Sequence, residues 1–292
     1  MPEFWILNDS SQISDKKVEY LYMREKVLGL PVDILTREET FGVIGDWLKV
    51  GIKKPKIIVT AYSEFYVNAL KDKSFAKIIK EADLVTPDGK SVLAAVEYAK
   101  KSKNKNLVGC LLEGLRVGGK ILNGTIGESV TGVWLFEKIT KNAEKKNWKI
   151  FLLGGEHNSS ERATKILLEW FPDLNVTFDE GEYPLGLSKE INKQVVEKIN
   201  KVKPDFLFVT YPAIQQYKWI WDNLGDLKVG VAMGIGGTLD EFVGDLKLPP
   251  IWMQKMGLKW LWRLWLQPKR WRRMVDAVIV FPWLVFRESL EG

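Results

Sequence analysis

The chain has 292 residues, 46% hydrophobic and 27% charged, the balance of a folded globular protein with a sizeable core and not of a disordered chain. One cysteine (Cys110) and one histidine (His157) leave no internal disulfide, no thiolate metal cluster and no paired-imidazole site, which excludes zinc hydrolases and cysteine-rich secreted domains. The net charge of +6 is localised: eight Lys and Arg fall between Leu246 and Val275 without one Asp or Glu, and six of the 13 Trp lie between Trp252 and Trp283.

The first 27 residues are polar and mixed and read as an N-terminal extension. They begin MPEFWILNDSS, with no basic region ahead of an apolar run, so the chain is expected to stay in the cytoplasm. Lys56–Thr60 reads as a buried strand, followed by a helical stretch over 64–80. A second strand, Ala82–Thr86, stops at Pro87-Asp88-Gly89, and a helix follows over 91–101. Residues 102–131, rich in Lys and Asn and then in Gly, read as an irregular or mobile insertion. The alternation resumes with a helix over 133–146, a strand over 149–153, the Gly154-Gly155 turn and a helix over 158–171. His157 then sits at a helix start on the surface, and Cys110 reads as an inert thiol. Strand 175–178, helix 188–201, strand 206–210, helix 214–223 and strand 229–234 complete the series. Short apolar runs alternating with helices predict an α/β fold over 28–248: a Rossmann-like, mostly parallel sheet with helices on both faces.

From 249 to 292 no strand is evident. Lys255, Lys259 and Arg263 share one helix face, with Met256, Trp260 and Leu264 beside them. A helical, basic and aromatic C-terminal appendage is expected, and its composition suits a membrane surface, a buried subdomain or a partner groove. Nothing reaches the roughly 18 uninterrupted apolar residues of a membrane span. The best candidate, Val275–Phe286, contains Asp276 and Pro282.

Ligands of an open parallel sheet bind beyond the carboxyl ends of its strands. Four segments place polar or glycine residues there: Val59-Thr60-Ala61-Tyr62, Thr86-Pro87-Asp88-Gly89, Leu153-Gly154-Gly155-Glu156, and Gly234-Ile235-Gly236-Gly237-Thr238-Leu239-Asp240. Glycines at strand-to-helix turns let backbone N–H groups approach a phosphate, yet a tight turn needs the same glycines. Asp88 in its P-D-G turn reads equally as a turn residue or a base. Neither G-x-G-x-x-G after a strand nor a Walker lysine occurs, which removes the nucleotide-dependent oxidoreductase reading.

Taken in order, V-T-A-Y-S-E, A-D-L-V-T-P-D-G, V-T-G, F-L-L-G-G, P-D-F-L-F-V, Q-Q-Y-K-W-I, G-I-G-G-T-L-D and P-x-W-M-Q-K-M-G-L-K-W-L-W-R-L-x-x-x-P-K-R resemble the TagA/WecG/CpsF glycosyltransferase family. The resemblance spans about Leu28 to Arg273 and is most specific at Trp252–Arg273. It implies an inverting, metal-independent transfer of a hexose or N-acetylhexosamine from a UDP-sugar to a polyprenyl-diphosphate-linked sugar in cell-envelope polysaccharide synthesis. No cofactor beyond the UDP-sugar donor is implied. The family's catalytic Thr matches Thr60, its proposed base Asp88, its motif Gln Gln216, its nucleotide-contacting Asp Asp240, and its tail arginines Arg263, Arg270 and Arg273. The Gly154-Gly155 and Gly236-Gly237 turns are expected to hold the UDP.

An anionic membrane on its inner, cytoplasmic face is the expected partner of the tail. Nucleic acid is disfavoured by the apolar run after Arg273, and a homo-oligomer is possible on the sequence. Three positions depart from the family pattern: Tyr62 for Asn, Ser129 for Arg, and Pro212-Ala213-Ile214-Gln215-Gln216-Tyr217 for G-A-P-x-Q-E. The segment between P-D-G and V-T-G is also unusually long. These departures motivate an alternative, a catalytically weakened family member serving as a membrane-peripheral binding or scaffolding subunit.

Overall fold

The computed structural model describes residues 24–52, 54–181, 188–250, 253 and 259–291. Its first element is an antiparallel hairpin, β1 (Arg24–Val27) with β2 (Leu30–Asp33), turned at Leu28-Gly29, where both residues have positive φ. Residues 24–27, expected to end an N-terminal extension, therefore belong to a strand. Two four-residue strands joined by Leu-Gly carry too weak a pattern to be read. The Arg24 guanidinium grips Asp33 at 2.7 and 2.8 Å, and Asp33 also accepts the Val85 N–H at 2.7 Å, which docks the hairpin on the sheet.

The sheet has six parallel strands: β3 (Lys56–Ala61), β4 (Leu84–Pro87), β5 (Ile150–Leu153), β6 (Val176–Asp179), β7 (Phe206–Val209) and β8 (Val231–Gly234), in spatial order β4-β3-β8-β7-β5-β6. Successive residues of a strand point to opposite faces. Ile57, Val59, Leu207 and Val209 enter one buried core, and Ile58, Phe206, Phe208 and Met233 enter the other. Both faces are covered by helices, as the short apolar runs predict.

The helices of the body are α1 (Arg37–Val50), α2 (Ser63–Lys71), α3 (Lys73–Glu81), α4 (Lys90–Ser102), α5 (Leu107–Leu122), α6 (Gly132–Lys146), α7 (Ser159–Trp170), α8 (Lys189–Val202), α9 (Ala213–Asn223) and α10 (Thr238–Phe242). The single helix expected over 64–80 is two. Asp72 divides them, its carboxylate accepting the Phe75 N–H at 3.1 Å as the N-cap of α3.

The irregular insertion expected over 102–131 is mostly a regular helix. Asn106 caps α5 by accepting the Gly109 N–H at 2.9 Å. Four internal glycines, each costing about 1 kcal/mol relative to Ala, disguise this helix in the sequence. It is held instead by burying Cys110, Glu113 and Val117 and by ion pairs of Arg116 and Lys120 with Glu97 on α4. His157 is exposed in the turn before α7, as expected.

The tail forms α11 (Lys259–Leu266), a 3₁₀ turn (Pro268–Arg270), α12 (Trp271–Val275), a π turn (Asp276–Val280) and α13 (Phe281–Glu291). Lys255 and Met256 of the expected amphipathic face lie outside the described residues. The wider π turn lets the helix run on to Pro282, which sits in the first turn of α13, where its missing N–H costs little. Phe281 and Val285 are buried, with the Phe281 ring 5.8 Å from that of Tyr66. Among the described residues, no helix is long and apolar enough to cross a membrane.

Candidate functional site

Because the six strands run parallel, their carboxyl ends share one edge, and the order β4-β3-β8 sets three predicted segments side by side. Thr60 is the last residue but one of β3, Asp88 follows β4, and Gly234 closes β8. The Asp88 backbone N–H donates to the Ala61 carbonyl at 2.9 Å, continuing the ladder, and its side-chain Oδ2 accepts the Gly132 N–H at 3.2 Å. Gly132 opens α6, and a Cβ there would stand 3.4 Å from Thr60 Oγ1. The V-T-G motif thus presses the start of α6 against both residues.

Gln216 is buried on α9, and its Oε1 accepts the Gly236 N–H at 2.9 Å. Any side chain at Gly234 would collide with it. Beside it, Tyr217 fills the gap where β3 and β8 part. Its hydroxyl accepts the Thr60 N–H at 3.1 Å and donates to the Gly234 carbonyl at 3.2 Å. Burial pushes this phenol up to about 12, so it stays protonated and neutral. Tyr217, which the sequence reads as a departure from a motif, is therefore a built-in strand bridge. Tyr217→Phe strands the Thr60 N–H and is expected to cost about 1–2 kcal/mol in denaturant unfolding. Unchanged stability in that variant excludes the bridge as a structural element.

The tail returns to this edge. Arg273 Nε donates to both oxygens of buried Glu64, at 3.0 and 2.9 Å, and its terminal nitrogen donates to the Tyr62 hydroxyl at 2.6 Å. Burial pulls the Arg273 pKa down, but Tyr62 and Glu64 outweigh it and the charge is held. Burial, opposed by Arg273, also drives the Tyr62 phenol well above its ordinary range. Tyr62, the second departure, is thus a docking partner of the tail. Arg263 pairs with Glu241 of α10. Its pKa is pushed down to about 10, by burial first and then by the Arg270 charge. Arg270 is lowered by burial and by Arg273, and among the described residues it has no ion-pair partner. Three cations thus crowd one edge of the sheet, and among the described residues one of them makes no ion pair. Glu64 and Glu241, which make this possible, carry no motif signal beyond Y-S-E and were not singled out in the sequence.

The second predicted set lies farther along the edge, since β7 separates β5 from β8. Gly154 and Gly155 have φ of 85° and 110°; a Cβ on Gly154 would lie 2.7 Å from the Tyr211 ring, and one on Gly155 would collide with Ser159. Turn packing alone demands glycine at both. Gly236 differs, since its φ is 50° but a Cβ there meets nothing within 4 Å, leaving its backbone open to the edge. Asp240 on α10 lies beside Ser159 and Glu156 of the β5–α7 loop, which joins the two glycine turns. Burial raises its pKa, and its buried Oδ1 has no partner among the described residues. Glu156 is also among the charges acting on Arg270, so the two sets stand within electrostatic reach of one another along this edge, which forms the candidate cleft.

Comparison with known proteins matches residues 25–112 and 102–292 to the glycosyl transferase WecG/TagA/CpsF family. The two stretches overlap over 102–112, which takes in the start of α5. The N-acetylglucosaminyldiphosphoundecaprenol N-acetyl-beta-D-mannosaminyltransferase of Bacillus subtilis (strain 168) is 24% identical over 220 residues, 75% of each chain. The enzyme of the same name from Staphylococcus aureus (strain MRSA252) is 25% identical over 222 residues, 76% of each. With the parallel sheet, the strand-end residues and the arginine-bearing tail all inside the matched stretches, the chain belongs to the glycosyl transferase WecG/TagA/CpsF family.

Proposed function

We propose that the protein is an inverting glycosyltransferase that moves a hexose or N-acetylhexosamine from a UDP-sugar to a polyprenyl-diphosphate-linked sugar at the inner face of the cell membrane. The observation that carries this reading is the convergence of Arg263, Arg270 and Arg273 on the sheet edge that holds Asp88 and Thr60. The relatives' names supply the acceptor class, a diphosphoundecaprenol-linked N-acetylglucosamine, and the β configuration of the product.

In a single displacement the acceptor hydroxyl attacks the anomeric carbon, its proton passes to the Asp88 carboxylate, and the carbon–oxygen bond to UDP breaks. The departing diphosphate gains negative charge as that bond lengthens. Guanidinium groups suit it, being permanently charged and able to donate two parallel hydrogen bonds. In this reading the arginines provide the charge that a divalent cation provides in other transferases, so the reaction proceeds without a metal. Thr60 and Gln216 border the same cleft and orient the sugar. Tyr62 and Tyr217 hydrogen-bond to Arg273 and Thr60, which favours an assembled catalytic site over a weakened scaffold.

UDP release in the presence of a polyprenyl-diphosphate N-acetylglucosamine and a panel of UDP-hexoses and UDP-N-acetylhexosamines, with EDTA present, tests the reading. Release with none of them sinks it, and release abolished by EDTA sinks its metal-free part. Asp240 with its unpartnered oxygen is assigned to the uridine. Asp240→Ala is expected to weaken UDP binding about tenfold in calorimetry, the loss of one charge-assisted hydrogen bond. Equal affinity removes that assignment.

A further inference from the structure

α5 turns an apolar face to solvent. Leu107, Val108, Leu111, Leu112, Leu115 and Leu122 are 52–76% exposed. At 100° per residue they lie together on one side of the helix, opposite buried Cys110, Glu113 and Val117. Among the described residues nothing covers them, and contiguous apolar surface of this kind marks an interaction site.

Two further observations say what it meets. The first is charge. Of the six Lys and Arg between Tyr98 and Gly127, Lys100, Lys105, Arg116 and Lys120 pair with Glu25, Glu113 and Glu97, which leaves Lys101 and Lys103 with no ion-pair partner among the described residues. The second is the neighbouring helix. Ser289 Oγ of α13 lies 3.0 Å from Tyr98 Oη on α4 and 3.9 Å from Cys110 Sγ on α5, so α13 and α5 share a flank. On that side the tail exposes Ile279, Trp283 and Leu290. The direction of the helices matters as well. α4 leaves the carboxyl edge of the sheet after Gly89, and its ion pairs, Glu97 to Arg116 and Lys120, run it antiparallel to α5. The leucine ridge therefore returns toward the cleft and ends, at Leu122, near the same edge.

We propose that the flank built from α5 and α13 is a docking face for an anionic lipid bilayer. Both helices lie in the plane of the membrane, the leucines enter the boundary between headgroups and acyl chains, and the cleft opens beside the headgroups at one end of the flank. The purpose of this face rests on the lipid-linked acceptor proposed above; the face adds a second anchor besides the basic, Trp-rich tail. A bilayer fits better than a second copy of the chain for two reasons. A 16-residue helix is only about 24 Å long, and one such stripe falls short of the roughly 800 Å² per partner that stable protein interfaces bury. Lys101 and Lys103 on its border also have no ion-pair partner among the described residues, and such cations repel a copy of themselves and attract anionic lipid.

The test uses the full chain and vesicles of phosphatidylglycerol and phosphatidylethanolamine, with phosphatidylcholine vesicles as the neutral control. The triple variant Leu111→Ser, Leu112→Ser, Leu115→Ser is expected to keep the wild-type melting temperature and to bind the anionic vesicles about tenfold more weakly. A second readout is independent of affinity. Cys110 is buried, so an environment-sensitive dye on a Leu115→Cys variant reports position 115 alone. Its emission is expected to shift to the blue with anionic vesicles and not with phosphatidylcholine. Unchanged binding of the triple variant, or no shift, overturns the proposal. A dye already blue-shifted without lipid also overturns it, assigning the ridge to residues 1–23 or to a second copy. Trp265→Ser with Trp271→Ser, both exposed on the tail and neither on α13, separates this outcome from a failure of the tail. If those changes release the protein from vesicles while the leucine triple does not, the tail reading stands and the α5 face falls. The reverse result keeps the α5 face and removes the tail.

Discussion

Replacing Asp88 by Asn is expected to lower kcat by about 10²–10⁴-fold while UDP affinity stays close to wild type, the signature of a lost general base. The substitution keeps the two hydrogen bonds that place Asp88 on the edge. Asp88 is positioned by its own backbone N–H on the Ala61 carbonyl, which Asn keeps. Its side chain accepts the Gly132 N–H at 3.2 Å, and the carbonyl oxygen of Asn can take that bond over. What Asn cannot do is accept the acceptor's proton. The rate loss should therefore come with a fold that still unfolds cooperatively and a UDP affinity close to wild type. A residue that merely shaped the P-D-G turn would show the opposite pattern, a lowered melting temperature with kcat intact. That pattern would falsify the assignment.

How far such a site can be read from sequence depends on what each residue contributes. The strands were legible because parallel strands covered on both faces must be short apolar runs, as Lys56–Ala61 and Phe206–Val209 are. Their carboxyl ends then had to carry the polar residues Thr60 and Asp88. The partners that hold the arginines were not legible. Glu64 sits in the first turn of α2 like any solvated helix-start carboxylate, and only the return of the tail, 209 residues later, buries it against Arg273. Tyr62 and Tyr217 read as losses from a motif because a motif records residue types, whereas their hydroxyls do new work at Arg273 and Thr60. α5 was hidden for a different reason. Glycine signals a breaker locally, yet pairing with α4 outweighs propensity. The tail, expected as an appendage, also anchors itself in the body through Phe281 and Val285. Cutting the chain at Pro249 would therefore open the core around Tyr66 as well as remove the arginines, so point variants are the better probes of the tail.

Among those variants, Arg270→Ala is expected to reduce kcat/KM about 10²–10³-fold while leaving vesicle binding and folding stability near wild type. The three tail arginines do not stand alike. Arg273 balances Glu64, and Arg263 balances Glu241; both carboxylates are largely buried. Removing either arginine takes a guanidinium from a buried carboxylate and is expected to cost about 1–3 kcal/mol of stability, which confounds any loss of activity. Arg270 has no such duty among the described residues. Burial and the neighbouring Arg273 both lower its pKa, so the free protein holds this charge at a disadvantage that a bound diphosphate would relieve. Its removal should leave the fold unharmed or slightly more stable, and UDP should lose much of its power to raise the melting temperature. Arg270→Lys should recover only part of the rate, since a point charge cannot match the two parallel donors of a guanidinium. If Arg270→Ala turns over like the wild type while Arg263→Ala, corrected for its stability loss, does not, the diphosphate belongs to Arg263. If all three single variants keep wild-type kcat/KM, the positive edge plays no part in catalysis, and the observation that carries the proposed reaction is lost.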